Sequence, residues 1–395
     1  MISHIKDADL KGKKVLVRVD YNVPLKDGKI ADDSRIIASL PTINRILEVG
    51  GIPILMSHLG RPDGVVNLKY SLKPIADYLQ KKLQYKVRFA DSCIGEDAHN
   101  AIKDIKTGEL VLLENLRFFP EEEKNDENFA KKLASFGDIY VNDAFGTSHR
   151  AHASTYGVAK LFKEKYAGYL IFSEIEHLGQ CINHTETPFT AIIGGAKISG
   201  KIDVIENLME KCENILIGGG MTFTFLKALG YEIGKSLLES DKVELAKELI
   251  IKAKSKKINL LLPIDIVVAS EFNNDSPKST VDINSIAIDK IGMDIGPKTV
   301  ALFKEVILNS KTILWNGPMG VFEMPNFAQG TFAIANALAS ATTNGAKTIV
   351  GGGDSVAAIK QMEFEDKVTF VSTGGGASLE YLEGKELPGI QILNR

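Results

Sequence analysis

The chain has 395 residues, of which 44% are hydrophobic and 25% are charged, and its formal net charge at pH 7 is -3. This length predicts roughly two to three domains with full hydrophobic cores, and two fit better. The small net charge argues against wholesale binding to nucleic acid or to a membrane surface, so any anion site must be a local group of cations.

Short apolar runs rich in Val, Ile and Leu alternate with polar or glycine-rich turns and helical periods, which predicts parallel βα units. In the first half the runs are 15–19, 52–56, 110–113 and 139–141, and Arg18 is the one charged residue within them. In the second half they are 190–193, 214–217, 260–268, 312–315, 348–350 and 368–371. Helical periods cover 72–83, with Ser71 as a candidate N-cap, 170–182 and 243–253.

This pattern predicts an α/β protein of two doubly wound, Rossmann-like parallel-sheet domains, joined by a hinge helix, with a cleft between them. We expect an N-terminal domain over 1–170, a linker helix over 171–185, a C-terminal domain over 186–380 and a tail over 381–395.

The cysteines and the N-terminus bear on the compartment. Cys93, Cys181 and Cys212 lie far apart, which favours a reducing compartment over a disulfide framework. The first residues carry charges where a signal peptide needs an apolar core, and no apolar run is long enough to cross a membrane. We therefore expect a cytoplasmic protein without membrane or nucleic-acid partners.

Ligands of open α/β sheets bind beyond the carboxyl ends of the strands, so the residues after each apolar run are candidate site residues. In the first half these segments repeatedly carry arginine and histidine, whose side chains suit carboxylate and phosphate oxygens. Recurrence at several strand ends argues against a chance set of surface side chains. A pocket for a small, multiply charged anion is predicted from 20–22, Arg35, 57–61, 114–117 and 142–152.

Glycine clusters follow the strands of the second half, at 194–195, 218–220, 316–320, 351–353 and 374–376. Turns without side chains let backbone N–H groups approach phosphate oxygens, and a following helix adds its positive end. One cluster alone is typical of a tight turn, whereas recurrence at successive strand ends predicts a surface for a nucleotide.

Three charged residues add to this surface. Lys197 and Lys201 are spaced to lie on one side of a helix, where two ammonium groups can bridge phosphates, although Gly200 weakens that helix by up to about 1 kcal/mol. Asp354 is a candidate ligand for Mg²⁺ carried by nucleotide phosphates, because Mg²⁺ takes few protein ligands. A helix N-cap is the alternative role for Asp354.

Other interpretations have less support. The segment 195–202 matches most of the phosphate-loop pattern, but Ile202 stands where that pattern needs a hydroxyl. No dinucleotide-binding glycine fingerprint occurs, and His149 and His152 lack further residues to complete a zinc site. A two-domain protein that only binds a small anion remains an alternative to an enzyme, and the glycine turns argue against it.

Long motifs run through the chain in one order: Arg18–Pro24, Ser57–Pro62, Leu113–Phe118, Asn142–Gly146, His149–His152, Gly194–Lys197, Trp315–Glu323, Gly351–Asp354 and Ser372–Glu380. In these motifs and their order, essentially the whole chain resembles the phosphoglycerate kinase family. Two departures are Tyr21, where phenylalanine is common, and Gly200, where aspartate is frequent.

The resemblance implies a phosphotransferase of glycolysis and gluconeogenesis that moves a phosphoryl group reversibly between 1,3-bisphosphoglycerate and ADP, giving 3-phosphoglycerate and ATP with Mg²⁺. It also implies a monomer, with phosphoglycerate on the N-terminal domain, the nucleotide on the C-terminal domain, and a C-terminal tail that returns to the N-terminal domain. The implied phosphoglycerate-binding residues are Asp20, Tyr21, Asn22, Arg35, His58, Leu59, Gly60, Arg61, Arg117 and Arg150. The implied nucleotide-binding residues are Lys201, Gly218, Gly219, Gly220, Gly292, Asn316, Pro318, Glu323, Gly352, Gly353, Asp354 and Ser355, with Asp354 as the metal ligand.

For such a reaction the nucleophile is a phosphate oxygen or, in reverse, a carboxylate, and neither needs a general base. Positioning and charge stabilisation remain as the catalytic resources. The expected catalytic residues are Arg35, Lys197, Lys201 and Gly375. Because each domain would hold one substrate, we expect domain closure about the helix 170–182.

Overall fold

The computed structural model describes residues 2–183 and 185–394, with no description of the side chains of 181–183. His184 and Arg395, which fall in the predicted linker and tail, and the side chains of Cys181 and Ile182 lie outside the described residues. The chain divides into two compact units: unit 1 runs to Glu176 and resumes at Glu386, and unit 2 is His177–Lys385.

Unit 1 contains a six-stranded parallel sheet. Its strands are β1 (Lys14–Val19), β4 (Ile52–Met56), β5 (Lys86–Ala90), β6 (Glu109–Leu113), β7 (Ile139–Asp143) and β8 (Lys165–Ala167), in the order β5-β6-β4-β1-β7-β8. A two-stranded ribbon is formed by β2 (Leu25–Lys26) and β3 (Lys29–Ile30). The helices are α1 (Ser34–Glu48), α2 (Lys73–Lys82), α3 (Gly95–Lys103), α4 (Glu127–Ala134) and α5 (Val158–Lys160), and α6 (Tyr169–Asn183) begins in this unit.

All four apolar runs of the first half are strands of this sheet. β4 and β7 are buried at every position and β1 at all but its first residue, as central parallel strands with both faces covered should be. Strands β5 and β8 were not predicted. Both lie at the edges of the sheet, where lysine and arginine interrupt the apolar pattern that marks a buried strand.

Unit 2 contains a second six-stranded parallel sheet. Its strands are β9 (Phe189–Ile193), β10 (Asn214–Ile217), β11 (Asn259–Leu261), β15 (Thr312–Asn316), β16 (Lys347–Gly351) and β17 (Phe370–Val371), in the order β11-β10-β9-β15-β16-β17. A separate antiparallel sheet is formed by β12 (Asp265–Ala269), β13 (Lys278–Asp282) and β14 (Ile291–Ile295). The helices are α7 (Ile202–Leu208), α8 (Thr222–Ala228), α9 (Val243–Ser255), α10 (Pro297–Leu308), α11 (Gln329–Thr343), α12 (Gly353–Gln361) and α13 (Gly376–Leu382), and α14 (Pro388–Gln391) follows in unit 1.

The prediction of two parallel-sheet α/β domains is confirmed, but one predicted strand is wrong. The run 260–268 is divided between β11 in the parallel sheet and β12 in the antiparallel sheet. Pro263 stands between them and has no N–H group with which to continue a ladder. After it, the carboxylate of Asp265 accepts the backbone N–H groups of Lys298 (3.0 Å) and Thr299 (2.8 Å) and so caps α10.

Helix α6 contains the predicted helix 170–182, and the division between the units falls inside it, after Glu176. Its first turn is fixed within unit 1, because Asp143 Oδ1 accepts the N–H groups of Leu170 (2.9 Å) and Ile171 (3.3 Å). Across the described ranges, no helix has the length and apolar character needed to cross a membrane. Cys93 and Cys212 are buried free thiols.

Candidate functional site

The residues after β1 begin a group of predicted site residues in unit 1. Arg35, in the first turn of α1, places Nη1 3.1 Å from Asp20 Oδ2 and donates from the same nitrogen to the Asn22 carbonyl oxygen (3.1 Å). Asn22 Oδ1 accepts the Gly60 N–H group at 2.9 Å. These contacts bring together predicted residues from the segment after β1, the helix α1 and the segment after β4.

Arg117 joins the group from the segment after β6. Its Nη1 donates to the Gly60 carbonyl oxygen (2.9 Å), and its Nη2 lies 3.0 Å from Glu123 Oε1. Gly60 has φ +63°, and a Cβ there would lie 2.4 Å from the ring of Tyr70, so glycine is required at this turn. Arg61 and Arg150 are exposed.

Two imidazoles lie among these guanidinium groups. Burial, followed by the charges of Arg18, Arg117 and Arg35, lowers the pKa of His58 well below its usual value. Burial and the same kind of surroundings lower the pKa of His152 to about 4. Both imidazoles are therefore neutral at pH 7, and the arginines supply the positive charge. We call this set the cationic cluster: Arg18, Arg35, His58, Arg117, Arg150 and His152.

Two residues predicted for this site contribute no side chain to it. Tyr21 and Leu59 are buried in the hydrophobic core of unit 1, and the Tyr21 hydroxyl lies 3.1 Å from Ser39 Oγ. Their positions next to Asp20 and His58 in the sequence made them candidates, but alternation along an extended segment turns neighbouring side chains in opposite directions.

Arg18 and Glu122 were not among the predicted site residues. Arg18 is 1% exposed, and its position as the one charge in an apolar strand was the available signal. Glu122 is fully buried, although it stands among three consecutive glutamates that have the appearance of a solvated loop.

Unit 2 contains a cavity of about 520 Å³ beyond the carboxyl ends of its parallel strands. Apolar side chains, among them Phe223, Leu237, Phe272 and Met293, form much of its wall. Gly292 lies against Phe223 so closely that a Cβ would be 2.0 Å from Phe223 Cζ. The predicted residues that line this cavity are Gly219, Gly220, Gly292, Pro318, Glu323 and Asp354.

Several glycines in the strand-end turns use their backbone N–H groups to bind other turns. The N–H groups of Gly194, Gly195 and Gly219 donate to the carbonyl oxygens of Asn316 (3.0 Å), Pro318 (2.9 Å) and Met319 (3.0 Å), respectively. Their N–H groups are thus already paired within the protein. The expectation that the glycine turns let backbone N–H groups approach phosphate oxygens is wrong for the N–H groups of these three glycines.

Gly218 and Ser355 also serve internal packing. A Cβ on Gly218 would lie 2.4 Å from Met319 Sδ, and the buried Ser355 hydroxyl accepts the Gly317 N–H group at 2.5 Å. Neither residue presents a side-chain group to the cavity.

The predicted helix that carries Lys197 and Lys201 is also wrong. Residues 197–201 form a bend and a turn, and α7 begins at Ile202. Within this segment, the Glu239 carboxylate accepts the N–H groups of Ile198 (2.6 Å) and Ser199 (3.3 Å). Lys197 is exposed in this segment. The two lysines therefore do not share a helix face.

Lys201 lies beside the ends of β15 and β16. Its Nζ donates to Asn316 Oδ1, and the buried Asn316 Nδ2 has no partner within the described residues. Burial lowers the pKa of Lys201 to about 8, against the opposing attraction of Asp354 and Glu383. An ammonium group and an amide N–H group are therefore held together at these strand ends, an arrangement suited to an anion.

Two helices begin at the glycine clusters that follow β16 and β17. Gly352 (φ +86°) precedes α12, whose first turn contains Gly353 and Asp354, and Gly375 (φ +54°) precedes α13. The first N–H groups of a helix have no intrahelical acceptor, and their positive end attracts anions. These two turns, rather than all the clusters, can offer N–H groups to phosphates.

The residues fit a magnesium ion that arrives with a ligand. Among residues 2–183 and 185–394, no group of three or more His, Cys, Asp or Glu side chains is arranged to hold a metal. Asp354 is a single exposed carboxylate at the cavity, and Mg²⁺ commonly binds one or two carboxylates together with phosphate oxygens.

Comparisons with known proteins agree over the full length. The family model described as phosphoglycerate kinase matches residues 5–385. The phosphoglycerate kinases of Chloroherpeton thalassium and Chlorobaculum tepidum are 56% and 55% identical over 390 and 391 residues, covering 99% of this chain and 98% of each relative. The structure of phosphoglycerate kinase from Coxiella burnetii has a TM-score of 0.90 at 41% identity, covering 100% of this chain and 99% of that one. The enzyme from Pyrococcus horikoshii OT3 gives 0.86 at 32% identity, with 99% and 98% coverage.

The packing of strand-end turns predicts the effect of an added methyl group. A Cβ on Gly194 would lie 2.2 Å from the Pro318 carbonyl oxygen and 2.5 Å from that of Gly317. Because both are backbone atoms, we expect Gly194→Ala to lower the free energy of unfolding by about 1–3 kcal/mol, measured by urea denaturation. Gly200→Ala is the control, since nothing lies within 4 Å of its Cβ. Equal stability of the two variants would contradict the packing role.

Proposed function

The chain belongs to the phosphoglycerate kinase family, and we propose that it transfers a phosphoryl group reversibly between 1,3-bisphosphoglycerate and ADP, giving 3-phosphoglycerate and ATP. The observation that carries this proposal is the match over residues 5–385, which takes in both units. The transferase belongs to glycolysis and, in reverse, to gluconeogenesis.

We assign phosphoglycerate to the cationic cluster of unit 1. The ligand carries carboxylate and phosphate groups, and guanidinium forks bind such oxygens in pairs. Asp20 and Glu123 hold Arg35 and Arg117 in place in the structure, while the exposed Arg61 and Arg150 are available to a ligand. Several guanidinium groups, two held by carboxylates and two exposed, can together bind a substrate that carries more than one negative charge.

We assign the nucleotide to the cavity of unit 2. Its apolar wall suits an adenine ring, and the lack of a side chain at Gly292 lets the Phe223 ring pack against the backbone as part of that wall. The phosphates would lie toward Lys201, Asn316 and the first turn of α12, where positive groups are held.

Asp354 is the proposed protein ligand of Mg²⁺ that is carried by the nucleotide phosphates. When bound, the ion neutralises phosphate charge during transfer. Asp354 has an electrostatic influence on Lys201, so the carboxylate and the ammonium group flank the same region.

The proposed catalytic groups act by charge and position, without a general base. Arg35 and Lys197 would contact the phosphoryl group during transfer, Lys201 would bind nucleotide phosphate, and the Gly375 N–H group would stabilise charge on that side. Because the substrates are assigned to different units, we propose a closing motion about α6 that brings the reacting oxygens to about 3–3.5 Å.

We further propose a cytoplasmic monomer whose partners are its substrates, without nucleic-acid or membrane binding. Two buried free thiols, Cys93 and Cys212, support a reducing compartment.

A coupled assay tests the function. We expect ATP to form from ADP and 1,3-bisphosphoglycerate in a reaction that depends on Mg²⁺. A small-anion binding protein would bind 3-phosphoglycerate and form no ATP, and a phosphate-loop hydrolase would release phosphate from ATP without 3-phosphoglycerate. Either result would overturn the proposal.

Removal of the positive charges that are proposed to contact the phosphoryl group should slow its transfer. We expect Arg35→Ala and Lys197→Ala each to lower kcat by about 10² or more, because each removes a charge contact with the transition state. Lys254→Ala, on an exposed position of α9, is the control and should leave kcat unchanged. Unchanged turnover in either site variant would remove that residue from the mechanism.

The lowered pKa of Lys201 predicts how nucleotide affinity changes with pH. The ammonium form predominates below about pH 8 and the neutral amine above it. Since only the cation attracts phosphates, the dissociation constant for Mg·ADP should rise above pH 8, approaching tenfold per pH unit. Lys201→Arg, which stays charged, should remove this rise in a calorimetric titration. The same pH dependence in both proteins would show that Lys201 does not cause it.

A further inference from the structure

A buried carboxylate lies behind the cationic cluster of unit 1 and is not used by the proposed reaction. Glu122 is 0% exposed. Its Oε2 accepts the Ser154 backbone N–H group at 2.9 Å, and its Oε1 accepts the Ser154 hydroxyl at 2.5 Å. Both carboxylate oxygens are thus engaged by a single serine, which is itself fully buried.

Ser154 in turn orients Arg18. The Ser154 hydroxyl donates its hydrogen bond to Glu122, so the hydroxyl oxygen is free to accept one. Arg18 Nε donates to this oxygen at 2.8 Å. Arg18 Nη1 donates to the Val19 carbonyl oxygen. Two contacts at different nitrogens fix the plane of the guanidinium group.

The fixed guanidinium group determines the tautomer of His58. Arg18 Nη2 lies 3.1 Å from His58 Nδ1. A guanidinium group can only donate hydrogen bonds, so Nδ1 must be the acceptor and carries no proton. A neutral imidazole then has its proton on Nε2.

Burial and the surrounding positive charges disfavour the doubly protonated form of His58. The ring is buried, and the positive groups that face it are Arg18, Arg117 and Arg35, while the nearby His152 is itself neutral at pH 7. His58 is therefore held as a neutral ring with one donor, Nε2–H. Such a donor suits an acceptor oxygen of a carboxylate or phosphate.

We propose that Glu122 is a positioning residue that acts through Ser154 and Arg18 to hold His58 as the Nε2–H tautomer, which donates to an oxygen of phosphoglycerate. The inference rests on the proposed function, because that function supplies the ligand of His58. Glu122 itself contacts no substrate.

Glu122→Gln tests this chain of contacts at nearly constant size. Glutamine has one acceptor oxygen where Ser154 presents two donors, so one of the two contacts is lost. We expect the KM for 3-phosphoglycerate to rise about fivefold, with the KM for ATP unchanged. The ¹⁵N NMR spectrum of His58 should show an unprotonated Nδ1 in the wild-type protein and a mixture of tautomers in the Glu122→Gln variant.

A second pair of variants separates positioning from stability. Ser154→Ala removes the same relay and should reproduce both effects, and it carries the test if Glu122→Gln fails to fold. Ser71→Ala is the matched control, because the Ser71 hydroxyl also donates to a buried glutamate, Glu114, at 2.6 Å. The control should lower stability while leaving the His58 spectrum and both KM values unchanged.

The inference is overturned if His58 carries its proton on Nδ1 in the unchanged protein. It is also overturned if Glu122→Gln or Ser154→Ala leaves the tautomer and the KM for 3-phosphoglycerate as they were. Failure of the proposed function is a different result, in which the unchanged protein forms no ATP whatever the state of His58.

Discussion

Strands of a parallel sheet all end at the same edge, and this constraint places most candidate site residues of both units. In unit 1, β4 lies between β1 and β6 and pairs with both, so the segments that follow these three strands meet. Asn22, Gly60 and Arg117 come from these three segments and are joined by hydrogen bonds. In unit 2 the same constraint brings the turns after β9, β10 and β15 into contact. The sheets thus act as frames that position side chains distant in sequence.

The two units use their strand ends differently. In unit 1 the segments are held by side chains, since Asn22, Arg35 and Arg117 bond to backbone or carboxylate atoms of neighbouring loops. In unit 2 the turns are held backbone to backbone, as between Gly194 and Asn316, which requires glycine because a Cβ has no room. Arginine side chains leave charge at the strand ends of unit 1, whereas in unit 2 apolar side chains such as Phe223 and Met293 form much of the cavity wall beside the closely packed turns.

Features that depend on burial and residue type could be predicted from the sequence. Features that depend on which distant segments contact each other could not. Central strands were predictable because coverage on both faces requires continuous apolar runs, whereas β13, with its mainly exposed residues, gives no such signal. Arg35 and His58 could be named as candidates because guanidinium and imidazole groups suit anionic ligands. The use of the Gly194 N–H group depends on the pairing of β9 with β15, and the N–H group of Ser199 is bound by Glu239, which lies 40 positions away in the sequence. Glu122 became visible only once Ser154 and Arg18 were placed beside it.

The end of β7 contacts both the segment through which the chain leaves unit 1 and the segment through which it returns. Asn142 Nδ2 donates to the Gly389 carbonyl oxygen (2.9 Å) in the segment that returns to unit 1, and the neighbouring Asp143 Oδ1 accepts the first N–H groups of α6, through which the chain leaves it. Burial raises the pKa of Asp143 to about 7, since the donated N–H groups only partly offset the cost of a buried charge. Relative to the unfolded chain, this group favours the folded state most at low pH and loses that contribution as pH rises to about 7. The attachment of α6 is therefore titratable near neutrality, whereas the amide of Asn142 holds the returning segment independently of pH.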